Sequence, residues 1–180
     1  MTFVAGSSWQ PDEDLFIEYF NRHPEVKLII APHVIDENHL VEIIRKLKRP
    51  YVRYTRADEK NVRKADCLII DCFGLLSSIY RYGEIAYIGG GFGVGIHNTL
   101  EAAVYGIPVI FGPKYQKFQE AIHLLEAKGG FSIKSYEELK ILLDRMLGDE
   151  DFLREAGKNA GAYVTDNAGT TDKVLGMINF

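Results

Sequence analysis

Apolar residues follow two alternating patterns along this chain, and the alternation predicts its secondary structure. Short, nearly continuous apolar runs are typical of strands buried on both faces of a parallel sheet. Seven runs of this kind are predicted to be strands: Thr2 to Gly6, Val26 to Ala31, Pro50 to Tyr54, Asp66 to Asp71, Ile85 to Ile88, Ile107 to Phe111 and Gly129 to Ile133.

Between these runs, apolar residues recur every three or four positions, which is the spacing of a helix with one buried face. The predicted helices are Gln10 to Phe20, Asp36 to Lys48, Phe73 to Tyr80, Thr99 to Tyr105, Tyr115 to Lys128, Ser135 to Leu147, Glu150 to Tyr163 and Thr170 to Met177. The charged stretch from Thr55 to Lys64 is predicted to be a surface loop. Strands that alternate with helices predict an α/β fold, an open and mostly parallel Rossmann-like sheet with helices on both faces.

Composition and charge narrow the class of protein. The 180 residues, of which 47% are apolar and 26% charged, are interpreted as one soluble domain. The net charge of −4 argues against a nucleic-acid partner. The five histidines lack the spacing of metal ligands, so neither a metal nor a cofactor is expected. Cys67 and Cys72 fit no disulfide framework, and no segment resembles a signal peptide or a membrane span.

Four loops are predicted to meet at one edge of the sheet. Ligands of open parallel sheets bind beyond the carboxyl ends of the strands. Those ends carry Gly6-Ser7-Ser8, Ala31-Pro32-His33, the segment from Asp71 to Gly74, and the run from Gly89 to Gly95. We expect the function to lie on this edge, which we call the rim.

The run from Gly89 to Gly95 holds five glycines in seven positions. Such a loop between a strand and a helix offers backbone N–H groups to a phosphate or carboxylate, Gly90 and Gly91 among them. The run lacks the Gly-Lys-Ser/Thr of a P-loop and the GxGxxG spacing of a dinucleotide fingerprint. A tight structural turn is the alternative to ligand binding.

The residues after the glycines leave a second alternative open. Asn98 followed three positions later by Glu101 has the pattern of a capping box, in which both side chains bond backbone N–H groups. Alternatively, Glu101 accepts hydrogen bonds from two hydroxyls of a ribose. His97 is a candidate general base without an orienting acid. Lys114 and Lys117, and likewise Ser7 and Ser8, are either ligand contacts or ordinary residues at helix starts.

Taken together, these motifs resemble the C-terminal domain of 3-deoxy-D-manno-octulosonic acid (Kdo) transferase, a glycosyltransferase of the GT-B type. The resemblance runs through the whole chain in order. The stretches that carry it are Ala5-Gly6-Ser7-Ser8-Trp9, Pro32-His33-Val34-Ile35-Asp36, Ile70 to Leu76, Gly89 to Ala103, Phe111-Gly112-Pro113-Lys114 with Phe118 and Glu120, and Asn167 to Thr171.

The resemblance implies a donor-binding domain for CMP-Kdo, with no metal and with the catalytic acid in an N-terminal acceptor domain that this chain lacks. It also implies a lipid A precursor as acceptor, at the cytoplasmic face of the bacterial inner membrane, reached through the parent enzyme. The substrate-binding residues expected from the motifs and the resemblance are Ser7, Ser8, Pro32, His33, Phe73, Gly74, Leu75, Gly90, Gly91, His97, Asn98, Thr99, Leu100 and Glu101.

Two positions depart from the family pattern. His33 stands where the family has arginine, and Leu75 stands where it has glutamate. The fragment alone is expected to bind donor without transferring it. A GT-B transferase that uses a UDP-sugar is one alternative, and a non-catalytic nucleotide-binding or interaction domain is another.

Overall fold

The computed structural model describes residues 1–168 and contains one seven-stranded sheet. Every pair of neighbouring strands is parallel. The strands are β1 Thr2–Ser8, β2 Lys27–Pro32, β3 Tyr51–Arg53, β4 Cys67–Ile69, β5 Ile85–Ile88, β6 Val109–Phe111 and β7 Gly130–Ser132. The predicted α/β class is therefore confirmed.

The described part of the chain has eight α-helices, of which the first six connect the strands and the last two follow β7. They are α1 Gln10–Arg22, α2 Glu37–Lys46, α3 Glu59–Val62, α4 Leu76–Ile79, α5 Leu100–Ala103, α6 Gln119–Glu126, α7 Tyr136–Gly148 and α8 Glu150–Asn167. Single 3₁₀ turns span Tyr54–Arg56 and Tyr80–Tyr82.

The helices cover both faces of the sheet, as predicted. Because side chains alternate along a strand, β1 sends Phe3 and Ala5 into one apolar cluster and Val4 into the other. The first cluster includes apolar residues of α1, α2 and α7, and the second includes residues of α4, α5, α6 and α8. The sheet is thus buried on both sides, which explains the continuous apolar runs of its strands.

The strand order β3-β4-β2-β1-β5-β6-β7 places a topological switch point at β1. From β1 the sheet grows one way through β2 and the other way through β5. Helices leave β1 and β5 toward opposite sides at such a point, which opens a crevice at the carboxyl ends of the two strands. Gly6 of β1 pairs with Ile88 of β5 there, so the glycine run begins beside Ser7.

Several predicted boundaries are wrong, and backbone geometry explains them. β1 continues to Ser8 instead of ending at Gly6, because its pairing with β2 resumes at Ser8 after a register shift at Ser7. The helix predicted from Phe73 starts only at Leu76, since Gly74 has φ of +86°. The helix predicted from Tyr115 starts at Gln119, because Tyr115 to Phe118 form a turn first.

Two further predictions also change, and a third is untested. The stretch from Thr55 to Lys64 contains the short helix α3, which Asp58 caps through the N–H groups of Lys60 and Asn61. The helix predicted from Thr99 to Tyr105 is shorter, Leu100–Ala103, and a left-handed Gly106 at φ +68° follows its last turn. The helix predicted from Thr170 to Met177 lies outside the described residues.

Candidate functional site

The four loops predicted to meet at the rim do meet there. A hollow of about 240 Å³ opens between the ends of β1, β2 and β4. The glycine run borders the same region, because the ring of His97 stacks on the ring of His33 with 4.5 Å between centroids. The residues that line the hollow are Ser7, Ala31, Pro32, His33, Ile35, Ile70, Cys72, Phe73, Gly74 and Leu76.

The end of β1 and the start of the glycine run are in close backbone contact. A methyl group on Gly89 would lie 2.2 Å from the carbonyl oxygen of Ser7. Ser7 itself has φ of +51°, a conformation that residues other than glycine rarely adopt. Strained backbone of this kind concentrates at functional sites, where the surrounding structure enforces it. The glycine is therefore needed for close approach, and the strain marks the crevice as a site.

A buried carboxylate, Asp12 of α1, holds the glycine run in place. Its Oδ2 accepts hydrogen bonds from the N–H groups of Gly90 at 2.9 Å and Trp9 at 3.0 Å, and its Oδ1 accepts one from the Tyr87 hydroxyl at 2.9 Å. Burial raises the pKa of Asp12, and these bonds act against the rise. The N–H group of Gly90 is thus occupied by a protein carboxylate and is not free for a ligand.

The neighbouring acid, Glu13, is also buried and engages Ser8. The Ser8 hydroxyl donates to Glu13 Oε1 at 3.0 Å, and His39 Nε2 lies 3.0 Å from Glu13 Oε2. Burial raises the pKa of Glu13, opposed by the bond to His39. The structure therefore places the predicted contact Ser8 in the interior, with its hydroxyl committed to α1, whereas Ser7 lines the hollow.

Sequence reasoning missed the roles of both acids, which it interpreted as the first turn of a helix. Asp12 lies four residues before Phe16, and Glu13 lies four residues before Ile17. That spacing puts both acids on the buried face of α1, above the core residues. Acids in line with an apolar helix face are the signal that identifies them.

Three aromatic rings form a contact group at the rim. His33 stacks on Trp9 with 4.6 Å between ring centroids, and it also stacks on His97. Trp9 Nε1 donates a hydrogen bond to His97 Nε2 at 3.3 Å. Burial lowers the pKa of His97, and so does the neighbouring His33, while Asp12 acts the other way. His97 is therefore a neutral imidazole at neutral pH.

The capping-box interpretation is half right. Asn98 Oδ1 accepts a hydrogen bond from the N–H group of Leu100 at 2.9 Å, so the amide side chain does satisfy the start of α5. Glu101 caps no backbone N–H group in the described residues, and its hydrogen bond is a long one of 3.4 Å from Asn98 Nδ2. Burial is the larger cause of the raised pKa of Tyr80, and the charge of the nearby Glu101 is the second cause. A Cβ on Gly6 would lie 1.9 Å from that tyrosine's hydroxyl oxygen. The carboxylate of Glu101 is thus left available near the end of β1.

The remaining predicted contacts of this segment divide between interior and surface. Thr99 is fully buried, and its hydroxyl has no hydrogen-bond partner in the described chain. Leu100 is exposed on α5. Lys114 Nζ donates to the carbonyl oxygen of Gly93 at 2.6 Å, so this lysine braces the glycine run from outside.

The loop after β4 forms the outer side of the rim. Phe73 is 80% exposed, Gly74 is exposed, and Leu75 is half-buried. Asp71 anchors the loop, because it accepts hydrogen bonds from Arg53 at 2.8 Å and from Thr55. Burial alone favours protonation of Asp71, but the bonds from Thr55 and Arg53 outweigh it and lower its pKa.

Residues 1–168 contain no cluster of three or more metal-ligating side chains arranged to hold an ion. Within the same range, none of the helices combines the length and hydropathy needed to cross a bilayer.

Comparison with solved structures defines the class of this fold. The C-terminal CMP-Kdo binding domain of WaaA from Acinetobacter baumannii matches 92% of this chain and 89% of its own, with a TM-score of 0.78 and 19% identity. Anabaena HepE in complex with UDP and glucose matches 98% of this chain and 48% of its own, with a TM-score of 0.69 and 11% identity. The chain has the Rossmann-like fold of a GT-B glycosyltransferase C-terminal domain.

Comparison with curated proteins narrows the family to which the chain is similar. The 3-deoxy-D-manno-octulosonic acid transferase of Aquifex aeolicus is 33% identical over 150 residues, which are 80% of this chain and 41% of that protein. No protein-family model matches the chain. Kdo transferases are thus homologues of this chain over most of its length, which confirms the predicted resemblance. The chain spans less than half the length of this relative.

Proposed function

We propose that this chain is the donor-binding domain of a transferase that moves Kdo from CMP-Kdo to a lipid A precursor. The observation that carries the proposal is the rim, where Glu101 is half-buried, caps no backbone group of residues 1–168, and lies near enough to Tyr80, beside Gly6 of β1, for its charge to act on that tyrosine. Homology to Kdo transferases and likeness to a CMP-Kdo binding domain support it. Acceptor binding, and membrane association of the parent enzyme, belong to the remainder of that enzyme.

Each part of the nucleotide has a matching part of the rim. The hollow beside Pro32, His33, Phe73 and Gly74 receives the cytosine, whose flat faces suit an imidazole and an exposed phenyl ring. Glu101 accepts hydrogen bonds from the two ribose hydroxyls, a use that suits a carboxylate with two acceptor oxygens. The phosphate and the Kdo carboxylate lie along the segment that ends the glycine run.

The anion-binding groups differ from those first expected. The N–H groups of Gly90, Gly93 and Gly95 bond protein acceptors, whereas those of Asn98 and Thr99 donate to no acceptor in the described chain. The proposed contacts of the departing phosphate are therefore the N–H groups that follow the glycines, together with His97. Stabilisation of that developing charge is this domain's contribution to catalysis, without a metal.

Calorimetric titration of the chain with CMP, UMP and UDP-glucose tests the proposal. We expect CMP to bind measurably and UMP at least about tenfold more weakly, because cytosine and uracil present opposite hydrogen-bonding groups at two neighbouring ring positions, N3 and C4. A preference for the uridine ligands favours the rival, a UDP-sugar transferase, to which the likeness to HepE gives specific support. Absence of binding by all three ligands favours a non-catalytic interaction domain.

A further inference from the structure

The contact group of Trp9, His33 and His97 determines which nitrogen of His97 carries a proton. An indole Nε1–H group can only donate a hydrogen bond. Because it lies 3.3 Å from His97 Nε2, that nitrogen must be the acceptor and must be unprotonated. A neutral imidazole carries its proton on the other nitrogen, so His97 is the tautomer with Nδ1–H.

The position of the ring leaves Nδ1 facing the rim. Cδ2 of His97 lies 3.3 Å from the place of a Cβ on Gly90, and Nε2 lies against Trp9. Both atoms belong to one edge of the ring, so Nδ1 lies on the opposite edge, away from Gly90 and Trp9. Nδ1 has no hydrogen-bond partner in residues 1–168 and is not among their buried unsatisfied atoms.

Two groups act on the charge of His97, and they come from the two elements packed against it. His33, directly after β2, stacks on its face and disfavours a positive charge on His97, while Asp12 of α1 acts the other way. Burial is the larger cause of the lowered pKa of His97 and acts in the same direction as His33, so the neutral imidazole prevails. Protonation of Nε2 would also break the bond from Trp9.

The surrounding rim makes such a donor useful. The arginine nearest to the outer loop, Arg53, is already paired with Asp71 and Glu37, each at 2.8 Å. Where the family pattern has an arginine, this chain has His33. The guanidinium group of Arg53 is therefore committed to protein carboxylates, and the neutral donor of His97 is one that the rim leaves for an anion.

We infer that Trp9 is a positioning residue that holds His97 as the Nδ1–H tautomer, so that His97 offers a neutral hydrogen-bond donor to an anionic group of the sugar nucleotide. The ligand in this inference rests on the proposed function, but the tautomer does not. It follows that His97 is not a general base in this state, because its unprotonated nitrogen already accepts the indole hydrogen bond.

The first experiment needs only the unmodified chain, labelled with ¹⁵N and studied by NMR. Long-range ¹H–¹⁵N spectra at pH 7.5 should show His97 with a protonated Nδ1 and an unprotonated Nε2. The chain has one tryptophan, so its indole N–H signal is unique. This signal should shift with the same midpoint as His97, below the ordinary 6.5, as the pH is lowered. A protonated Nε2 at pH 7.5, or an indole signal indifferent to His97, overturns the inference.

The second experiment removes the donor but keeps the ring. Trp9→Phe retains a stacking partner for His33 and lacks the N–H group, so His97 should populate both tautomers and its pKa should rise. His33→Phe is the matched control: it keeps the bond from Trp9, so the tautomer of His97 must stay unchanged. An unaltered tautomer in Trp9→Phe contradicts the role of Trp9. Should that variant fail to fold, the titration of the unmodified chain decides.

Titration with CMP separates the two proposals. At pH 7.5, Trp9→Phe should bind CMP roughly threefold to tenfold more weakly, since one hydrogen bond loses its alignment. Equal affinity in the variant, with the tautomer changed as expected, rejects His97 as a ligand donor. If the unmodified chain binds no CMP at all, the proposed function fails. The NMR spectra still decide the tautomer of His97, because they need no ligand.

Discussion

The glycine run and the loop after β4 reach the same rim, but they are built in opposite ways. The glycine run is held by hydrogen bonds to Asp12 and Lys114, and it lies so close to β1 that Gly89 has no room for a side chain. In the loop after β4, Phe73 is largely exposed, and a Cβ on Gly74 would meet nothing within 4 Å. One side of the rim is thus a packed scaffold, and the other is an open surface.

The difference separates residues that shape the site from residues that are free to touch a ligand. In the glycine run, most N–H and C=O groups bond the protein itself, so substitutions there should act through stability. In the open loop, substitutions should act through affinity. The departure from the family pattern at Leu75 lies in the same loop, but its half-buried side chain packs against the second apolar cluster and not into the open surface.

The largest expected effect is that of Gly89→Ala. Its new methyl group would lie 2.2 Å from the backbone of Ser7, which cannot move without disturbing the pairing of β1 with β5. We expect a loss of about 3 kcal/mol in the free energy of unfolding, measured in urea. The matched variant Gly74→Ala, with open space but φ of +86°, should lose only about 1 kcal/mol. Equal losses contradict the contrast between the two sides.

Asp12→Ala should have the second-largest effect, a loss of about 2 kcal/mol in the free energy of unfolding. The N–H groups of Gly90 and Trp9 and the Tyr87 hydroxyl would lose their acceptor. The amide of Gly90 should also exchange with solvent faster, which hydrogen-exchange NMR measures. Tyr87→Phe serves as the control, since it removes one donor and leaves the bond to Gly90 intact. If the exchange rate of Gly90 rises equally in both variants, Asp12 does not hold the glycine run.

Glu101→Gln tests a carboxylate that caps no backbone group within residues 1–168. The free energy of unfolding should change by less than about 0.5 kcal/mol, because no cap is lost, while CMP affinity should fall about tenfold. Glu126→Gln, an exposed acid at the end of α6 and outside the motifs that carry the family resemblance, is the matched control and should leave CMP affinity unchanged. A loss of stability with unchanged affinity would restore the capping interpretation.

The smallest effect expected is that of Phe73→Ala. Since the side chain is 80% exposed, the free energy of unfolding should stay within about 0.5 kcal/mol of the original. CMP affinity should fall roughly threefold, as one face of the base loses an aromatic contact. Tyr54→Ala, another exposed aromatic, is the control for general surface effects. If stability falls with Phe73→Ala, the outer loop is part of the scaffold.

Much of this architecture could be predicted from the pattern of apolar residues, and the failures have local causes. All seven strands were predicted, because buried parallel strands need continuous apolar runs. The predicted helix starts at Phe73 and Tyr115 were wrong. Left-handed or extended backbone precedes each helix there, and no side-chain pattern indicates it. The rim itself was predicted correctly, since in a parallel sheet the loops that follow the strands share one edge.

The amino-acid sequence by itself determined the fold class, the place of the site and the family, because each depends on local periodicity or on residue order. Only the tertiary structure decided the hydrogen-bond partners of single polar groups. These bonds join Asp12 to Gly90, Ser8 to Glu13, and Trp9 to His97. These pairs are separated by up to 88 positions in the chain, and they form only when β1, α1 and the glycine run pack together. Hydrogen bonds depend on distance and direction in space, and no spacing along the chain encodes either.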